Sequence, residues 1–524
     1  MVSSAELKLP GSLLNYVPDK LLKFIIHSPF SYLLSLIFGA LLPLAFAPFN
    51  TWNSLFSYLI FFPLGLFLLQ LIHSENTREG FYKGWLFGCG FFGVGVSWLY
   101  VAIHVFGAAH WTLAGTLTGL FIILLALHYA VLGWAVVKIK QHFSLHPLTL
   151  MLFYIPVIWV FMEWIRTWLL TGFPWLLVGY PMIQTPLSGY APILGVYGLS
   201  FIVLLMSALL VARIRQIYCI IIVIVIFATG SYLNTIQWSS AVGKPLKIAM
   251  VQGNVNQLVK WNRMQLEKTK QLYVTLSKDQ WYKQDVIVWP ENAIPVFYHR
   301  LEHGFYHQLT QQARKTQTEL VTGLPVFDDK TQHYYNALTN LGGQQGFYYK
   351  THLVPFGEYV PLASLLRSLL HFFNMPMSGF SAGNEHQPLI SIKGYPVVTS
   401  ICYEDVFAAD IITHIPASRF MINLSNNGWY GDSFAPHQHF EMARMRALET
   451  SRELIRSTTS GITALVNEKG RVKVSGPQFK SIVVTGEIQP RQGVTPFVYW
   501  GNYPILLLFF LAALYLFWLE MRVR

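Results

Sequence analysis

The sequence predicts two architectures in one chain: an α-helical membrane bundle of about eight transmembrane helices, and an exported α/β domain between the seventh and the eighth. Three observations carry this reading. Of 524 residues, 53% are hydrophobic and only 12% charged, about half the charge usual in a soluble globular protein. The charge is unevenly placed: residues 237–502 hold 25 Lys+Arg and 19 Asp+Glu, and the far more apolar remainder holds 12 and 6. The short loops between apolar segments also divide cleanly by sign. The expected organisation is a membrane domain over 1–236, an exported domain over 237–502, and a closing helix with a short tail over 503–524.

A helix needs about 20 predominantly apolar residues to cross the hydrocarbon core. Segments at about 31–47, 54–72, 84–105, 112–137, 148–171, 192–212, 217–235 and 503–520 qualify or nearly so, the first being short and containing Pro43. No charged, apolar, small-residue order of a cleavable signal precedes them. Lys8, Lys20, Lys23, Arg78, Lys83, Lys138, Lys140, Arg213, Arg215, Arg522 and Arg524 fall on one side, whereas loops 48–53, 106–111 and 172–191 hold no Lys or Arg. The positive-inside rule then puts both termini in the cytoplasm and residues 237–502 outside it. Glu163 and Arg166, three apart on one helix, are expected to neutralise each other near the outer interface, with a lipid-headgroup role as the alternative. The net charge of +12 comes without a basic run, so membrane flanks account for it and nucleic acid is excluded as a partner.

The first chemical clue is cysteine. Cys89 and Cys219 fall in or against spans, where Cys is usually a small apolar filler. Cys402 alone lies in the exported domain, directly after the short β-branched run Val397-Val398-Thr399-Ser400-Ile401. A nucleophile where a buried strand hands over to a turn is exposed on a rigid backbone, and the next N–H can face an oxyanion. Similar runs end in polar groups: Asp285–Trp289 at Pro290-Glu291, Phe420–Leu424 at Ser425-Asn426-Asn427, Leu246–Val251 at Gln252-Gly253-Asn254. Helical stretches at about 262–280 and 436–456 intervene, so the site is expected along the strands' C-terminal ends. Lys350 and Glu358 lie in a separate turn-rich segment. A thiol of pKa about 8.5 needs a base and a cation to react quickly. Glu291 can take its proton, Lys350 can lower the thiol pKa and stabilise an oxyanion, and Glu358 can hold Lys350 charged and aimed. The 17 His show no metal-ligand spacing, and neither metal nor cofactor is expected.

These residues resemble the nitrilase superfamily, whose Glu–Lys–Cys triad sits on an αββα sandwich. Within it the match is closer to a membrane-embedded family, the apolipoprotein N-acyltransferases of Gram-negative bacteria. The resemblance covers nearly the whole chain. It rests on Met250-Val251-Gln252-Gly253-Asn254, Trp289-Pro290-Glu291, Leu353–Pro361, Ser425-Asn426-Asn427-Gly428-Trp429, Met442–Ala447 and, in the membrane part, Thr171-Gly172-Phe173-Pro174-Trp175. It implies Glu291, Lys350 and Cys402 as catalytic residues, with Trp261, Glu358, Tyr403 and Glu404 supporting them or binding substrate. It also implies a two-step transfer. Cys402 takes an acyl chain from a phospholipid, typically phosphatidylethanolamine, and passes it to the α-amino group of an S-diacylglyceryl cysteine on an apolipoprotein, with ping-pong kinetics. A monomer in the bacterial inner membrane, with its catalytic domain in the periplasm, is expected.

Apolar residues Leu362, Leu365, Leu366, Leu369, Leu370, Phe372, Phe373 and Met375 read equally as a lid, with Gly379 and Gly383 as hinges, or as core. The alternative enzyme is a membrane-tethered nitrilase-type amidase that passes the acyl group to water, for which seven spans would be superfluous. A transporter or lipid-binding protein would show deep paired charges and internal repeats, and no convincing repeat is present.

Overall fold

Each apolar segment of the sequence forms helix: α1 (Ser31–Ala45), α2 (Ser54–His73), α3 (Thr77–Gly95), α4 (Trp111–Phe143), α5 (Pro147–Arg166), α6 (Pro186–Val211), α7 (Ile217–Leu233) and a last helix at Tyr503–Arg522. The computed structural model describes residues 24–26, 28–143, 145–212, 216–344, 346–359 and 379–523. The cations Lys8, Lys20, Lys23, Arg213, Arg215 and Arg524, and the apolar residues from Leu362 to Met375, lie outside them. Among the described residues five helices (α2, α4, α5, α6 and Tyr503–Arg522) are long and apolar enough to cross a membrane, and α1 and α7 are shorter. The expected third span is bent: α3 and Trp98–Phe106 meet at 50°. Gly93, Gly95 and Ser97 lie at the break, where helix propensity is poor. Small residues set the helix spacing elsewhere in the bundle. A Cβ on Gly84 of α3 would stand 2.0 Å from the Tyr129 carbonyl oxygen of α4, so that approach is open only to glycine.

The α/β domain holds two six-stranded sheets. The first uses β1 (Leu246–Gln252), β2 (Val286–Val288), β3 (Glu319–Asp328), β4 (His333–Leu341) and β5 (Phe347–Tyr349). The second uses β6 (Ile390–Ile392), β7 (Tyr395–Ile401), β8 (Phe420–Ser425), β9 (Leu454–Thr458), β10 (Ala464–Val466) and β11 (Val472–Ser475); β12 (Ile482–Ile488) returns to the first. Their orders are β12-β1-β2-β3-β4-β5 and β11-β10-β9-β8-β7-β6. Parallel triplets β1-β2-β3 and β7-β8-β9 lie at the centres, and the flanking pairs are antiparallel.

Side-chain alternation makes the layers. Ile248, Met250, Val286 and Val288 share one core with Val397, Ile401, Ile422 and Leu424 of the other sheet. The opposite residues Ala249, Val251, Ile287 and Trp289 pack under α8 (Leu266–Ser277) and α9 (His307–Thr316) through Tyr273, Leu309 and Ala313. Val398, Met421 and Leu454 pack under α10 (Ala408–His414) and α11 (Phe434–Thr450) through Ile411, Phe440 and Ala443. The result is helix, sheet, sheet, helix. The helix read to about 456 ends at Thr450, because Ser451 turns left-handed (φ 51°) and β9 begins at Leu454.

Every residue of α11 from Gln438 to Thr450 is buried, since its outer face packs on the membrane helices. Gln438 Oε1 accepts from the indoles of Trp98 (3.1 Å) and Trp175 (2.7 Å), and its Nε2 donates to the Gly95 carbonyl freed at the break (3.1 Å). Glu441 accepts from Asn50, and Glu449 accepts from the Val196 N–H at 2.7 Å. Loops 48–53 and 172–191, which lack Lys and Arg, therefore lie against the α/β domain, and Phe106 at the start of the third such loop approaches Gly431. Glu163 and Arg166 do not form the expected ion pair. Glu163 Oε1 accepts from Trp159 Nε1 and the Val178 N–H, and Arg166 donates to the Trp175 carbonyl at 3.0 Å. Both brace the loop that follows their helix, whose backbone donors and acceptors would otherwise be buried unpaired.

Candidate active site

Glu291, Lys350 and Cys402 stand just beyond β2, β5 and β7, and the fold brings them together. Lys350 Nζ lies 2.8 Å from Glu358 Oε2 and 3.9 Å from Glu291 Oε1. Asn336 of β4 joins the carboxylates, its Nδ2 donating to Glu291 Oε1 (2.7 Å) and Glu358 Oε1 (2.9 Å), while its carbonyl accepts from the Lys350 N–H. Among the described residues, Glu291 Oε2 is buried without a hydrogen-bond partner. Its backbone sits close on β3, where a Cβ at Gly323 would stand 2.7 Å from Glu291 Cα.

Cys402 is 8% exposed and has a φ of +54°. For a residue with a Cβ this left-handed conformation costs about 1–2 kcal/mol, so its surroundings must hold it. Burial, then the Glu291 carboxylate, push the thiol up to about 12 against the pull of Lys350. Burial also raises Glu291, with Lys350 opposing, and suits it to proton transfer better than an exposed carboxylate. Burial pulls Lys350 down, but Glu358 and Glu291 outweigh it and keep the ammonium charged. The arrangement therefore combines a neutral thiol, a fixed cation and a carboxylate with one free oxygen, the parts needed for attack on an acyl carbon.

The supporting residues have distinct places. Glu358 grips Lys350 and accepts from the Val354 N–H at 2.8 Å. Glu404, expected to support the site or bind substrate, is a buried clamp between segments. Its Oε1 accepts from Thr351 N, Thr351 Oγ1 and His352 N, and its Oε2 from Ile401 N and Tyr348 OH. All its oxygens are committed to the protein. Tyr403 donates to the Gly172 carbonyl at 2.7 Å, tying the residue after Cys402 to the membrane loop, and His352 bonds the Thr171 carbonyl beside it. Trp261 is half-buried, and its indole N–H has no partner among the described residues. Next to it, Lys260 Nζ donates to the Glu291 carbonyl at 3.2 Å, and burial lowers Lys260 to about 8. Lys260, Asn336 and His439 were not singled out from the sequence. An Asn inside the strand run Tyr334-Tyr335-Asn336-Ala337 was the one readable signal.

A cysteine at a strand end of an αββα sandwich, beside a buried Lys and Glu, defines the carbon–nitrogen hydrolase class of domain, and the sequence model of the Carbon-nitrogen hydrolase family matches residues 247–495. The Apolipoprotein N-acyltransferase N-terminal domain model matches residues 38–209. The chain is 39% identical over 479 residues to the apolipoprotein N-acyltransferase of Methylococcus capsulatus, covering 90% of this chain and 93% of that one. It is 38% identical to that of Coxiella burnetii, covering 90% and 96%. The chain belongs to the apolipoprotein N-acyltransferase family, and it is a membrane-embedded bacterial protein.

Proposed function

We propose that this enzyme transfers an acyl chain from a phospholipid to the N-terminal S-diacylglyceryl cysteine of apolipoproteins through a thioester on Cys402. The observation that carries the reading is the buried grouping of Glu291, Lys350 and Cys402, whose chain neighbours His352 and Tyr403 bond the Thr171 and Gly172 carbonyls of the membrane part. In the first step Glu291 Oε2 takes the thiol proton as sulfur attacks an ester carbonyl, and Lys350 steadies the oxyanion. The ester C–O bond breaks, Glu291 returns the proton to the leaving oxygen, and a lysophospholipid departs. In the second step the amine attacks the thioester, Glu291 accepts its proton, and the thiol is restored. The double displacement predicts ping-pong kinetics.

Anchorage in the bilayer suits substrates whose acyl chains lose about 0.8 kcal/mol per CH₂ drawn into water. Phosphatidylethanolamine is the proposed donor and the monomer the proposed working unit. Eight spans, with the domain over 237–502 outside the cytoplasm and both termini inside, fit the packing of loops 48–53 and 172–191, and of Phe106, against that domain. Intact mass spectra of the purified protein, before and after phosphatidylethanolamine, test the reading beside Cys402→Ala. A hydroxylamine-sensitive acyl adduct on the wild type alone, discharged by a diacylated lipopeptide, is expected. An adduct lost to water at the same rate without lipopeptide would favour the hydrolase, and no adduct on folded protein would remove Cys402 as nucleophile.

A further inference from the structure

Behind Cys402 lies a second buried polar group that the proposed chemistry does not use. Asp405, His439, Arg456 and Asn423 are each no more than 2% exposed. Asp405 accepts from His439 Nε2 through Oδ1 (2.8 Å) and from Arg456 through Oδ2, and Arg456 also donates to Asn423 Oδ1 (2.8 Å). The network converges on one atom. The Cys402 carbonyl oxygen accepts from Asn423 Nδ2 at 3.2 Å and, also at 3.2 Å, shares the single His439 Nε2–H with Asp405 Oδ1 in a three-centre bond. Asn427 Nδ2 faces His439 Nδ1 at 3.3 Å, so Nδ1 accepts and Nε2 carries the proton. Burial, which lowers His439, agrees with that neutral form.

A trans peptide is planar, so pinning the Cys402 carbonyl fixes the Tyr403 N–H in the opposite direction. We infer that His439, held by Asp405, is a positioning residue that aims the Tyr403 N–H at the oxyanion formed on the acyl carbon. Asn423, held by Arg456, is its partner. The inference rests on Cys402 being the nucleophile. The two donors on its carbonyl also help to hold the left-handed backbone at Cys402.

The test compares His439→Leu, which has no donor, with His439→Gln, whose Nε2 reaches the same region. Thioester formation from phosphatidylethanolamine is timed on the full-length protein. Alkylation of Cys402 by iodoacetamide, which develops no oxyanion, is timed by peptide mass. The expected result is a fall in acylation kcat on the order of 10²-fold for His439→Leu, the scale of losing one oxyanion donor. KM and the alkylation rate should stay within about threefold, the scatter expected of a neutral change, and His439→Gln should recover most of the loss. Equal acylation by the wild type and His439→Leu would overturn the inference, as would parallel losses in acylation and alkylation. Cys402→Ala runs beside them. If it still acylates, the nucleophile assignment has failed; if it is inert while His439→Leu is fully active, only the positioning role has failed.

Discussion

Lys350 Nζ stands 2.8 Å from Glu358 but 3.9 Å from Glu291, so the ammonium is held by the residue that does not need to move a proton. Glu291 shares Asn336 with Glu358 and keeps one oxygen free. This division of labour makes the first prediction.

In Glu358→Gln, Lys350 loses its ion-pair partner and is drawn onto Glu291. Acylation should fall on the order of 10²-fold, the usual size of an impaired acid–base group. Glu358 also helps to raise Glu291, and Lys350 opposes that. The acidic limb of the pH–rate profile, which lies above the ordinary 4.5 in the wild type, should therefore move to lower pH. A limb that stays in place would show that Glu291 does not set it.

Glu404→Ala removes the acceptor for five donors on three segments. With about 1 kcal/mol or more for each buried donor stranded, a loss of at least about 3 kcal/mol is expected. Thermal unfolding in detergent measures it. Glu404→Gln should be nearly as damaging, because one amide oxygen cannot serve both donor sets.

Tyr403→Phe deletes only the bond to the Gly172 carbonyl. Stability should drop by about 1 kcal/mol. The larger effect should be a raised KM for phospholipid, as the membrane loop loosens from the residue beside Cys402. An unchanged KM would make that bond merely structural.

Burial, only partly offset by Asn50 and Arg444, pushes Glu441 up to about 7. Its folded state prefers the protonated acid, so stability is greatest below the unfolded value near 4.5, declines as pH rises to about 7, and is level above that. Glu441→Gln should remove the decline and raise stability at pH 8 by on the order of 2–3 kcal/mol, with little change at pH 4.5. Thermal midpoints at the two pH values decide it.

Much of this was legible in the sequence because charge is scarce in the chain. Glu291, Lys350 and Cys402 each follow a short apolar run, and a polar group at the end of a buried strand has few places to go. Asn336 and His439 were hidden for the opposite reason. They sit inside regular elements, where periodicity reports only which face is buried. Helix α11 misled in its own way: buried on both faces, it shows no apolar stripe by which to locate its end. Glu163 and Arg166 obeyed the i, i+3 spacing, yet the backbone of loop 175–178 claimed them both, and helix spacing carries no information about such a loop.

The burial that raises Cys402 to about 12 bears on more than the reaction. At pH 7 it leaves the thiol almost wholly protonated, and it is the thiolate that attacks peroxides and disulfides. Among the described residues the other two cysteines, Cys89 and Cys219, lie in the apolar helices α3 and α7. A resting enzyme of this design keeps its sulfur in reserve, chemically quiet toward small oxidants until a substrate brings the carbonyl that awakens it.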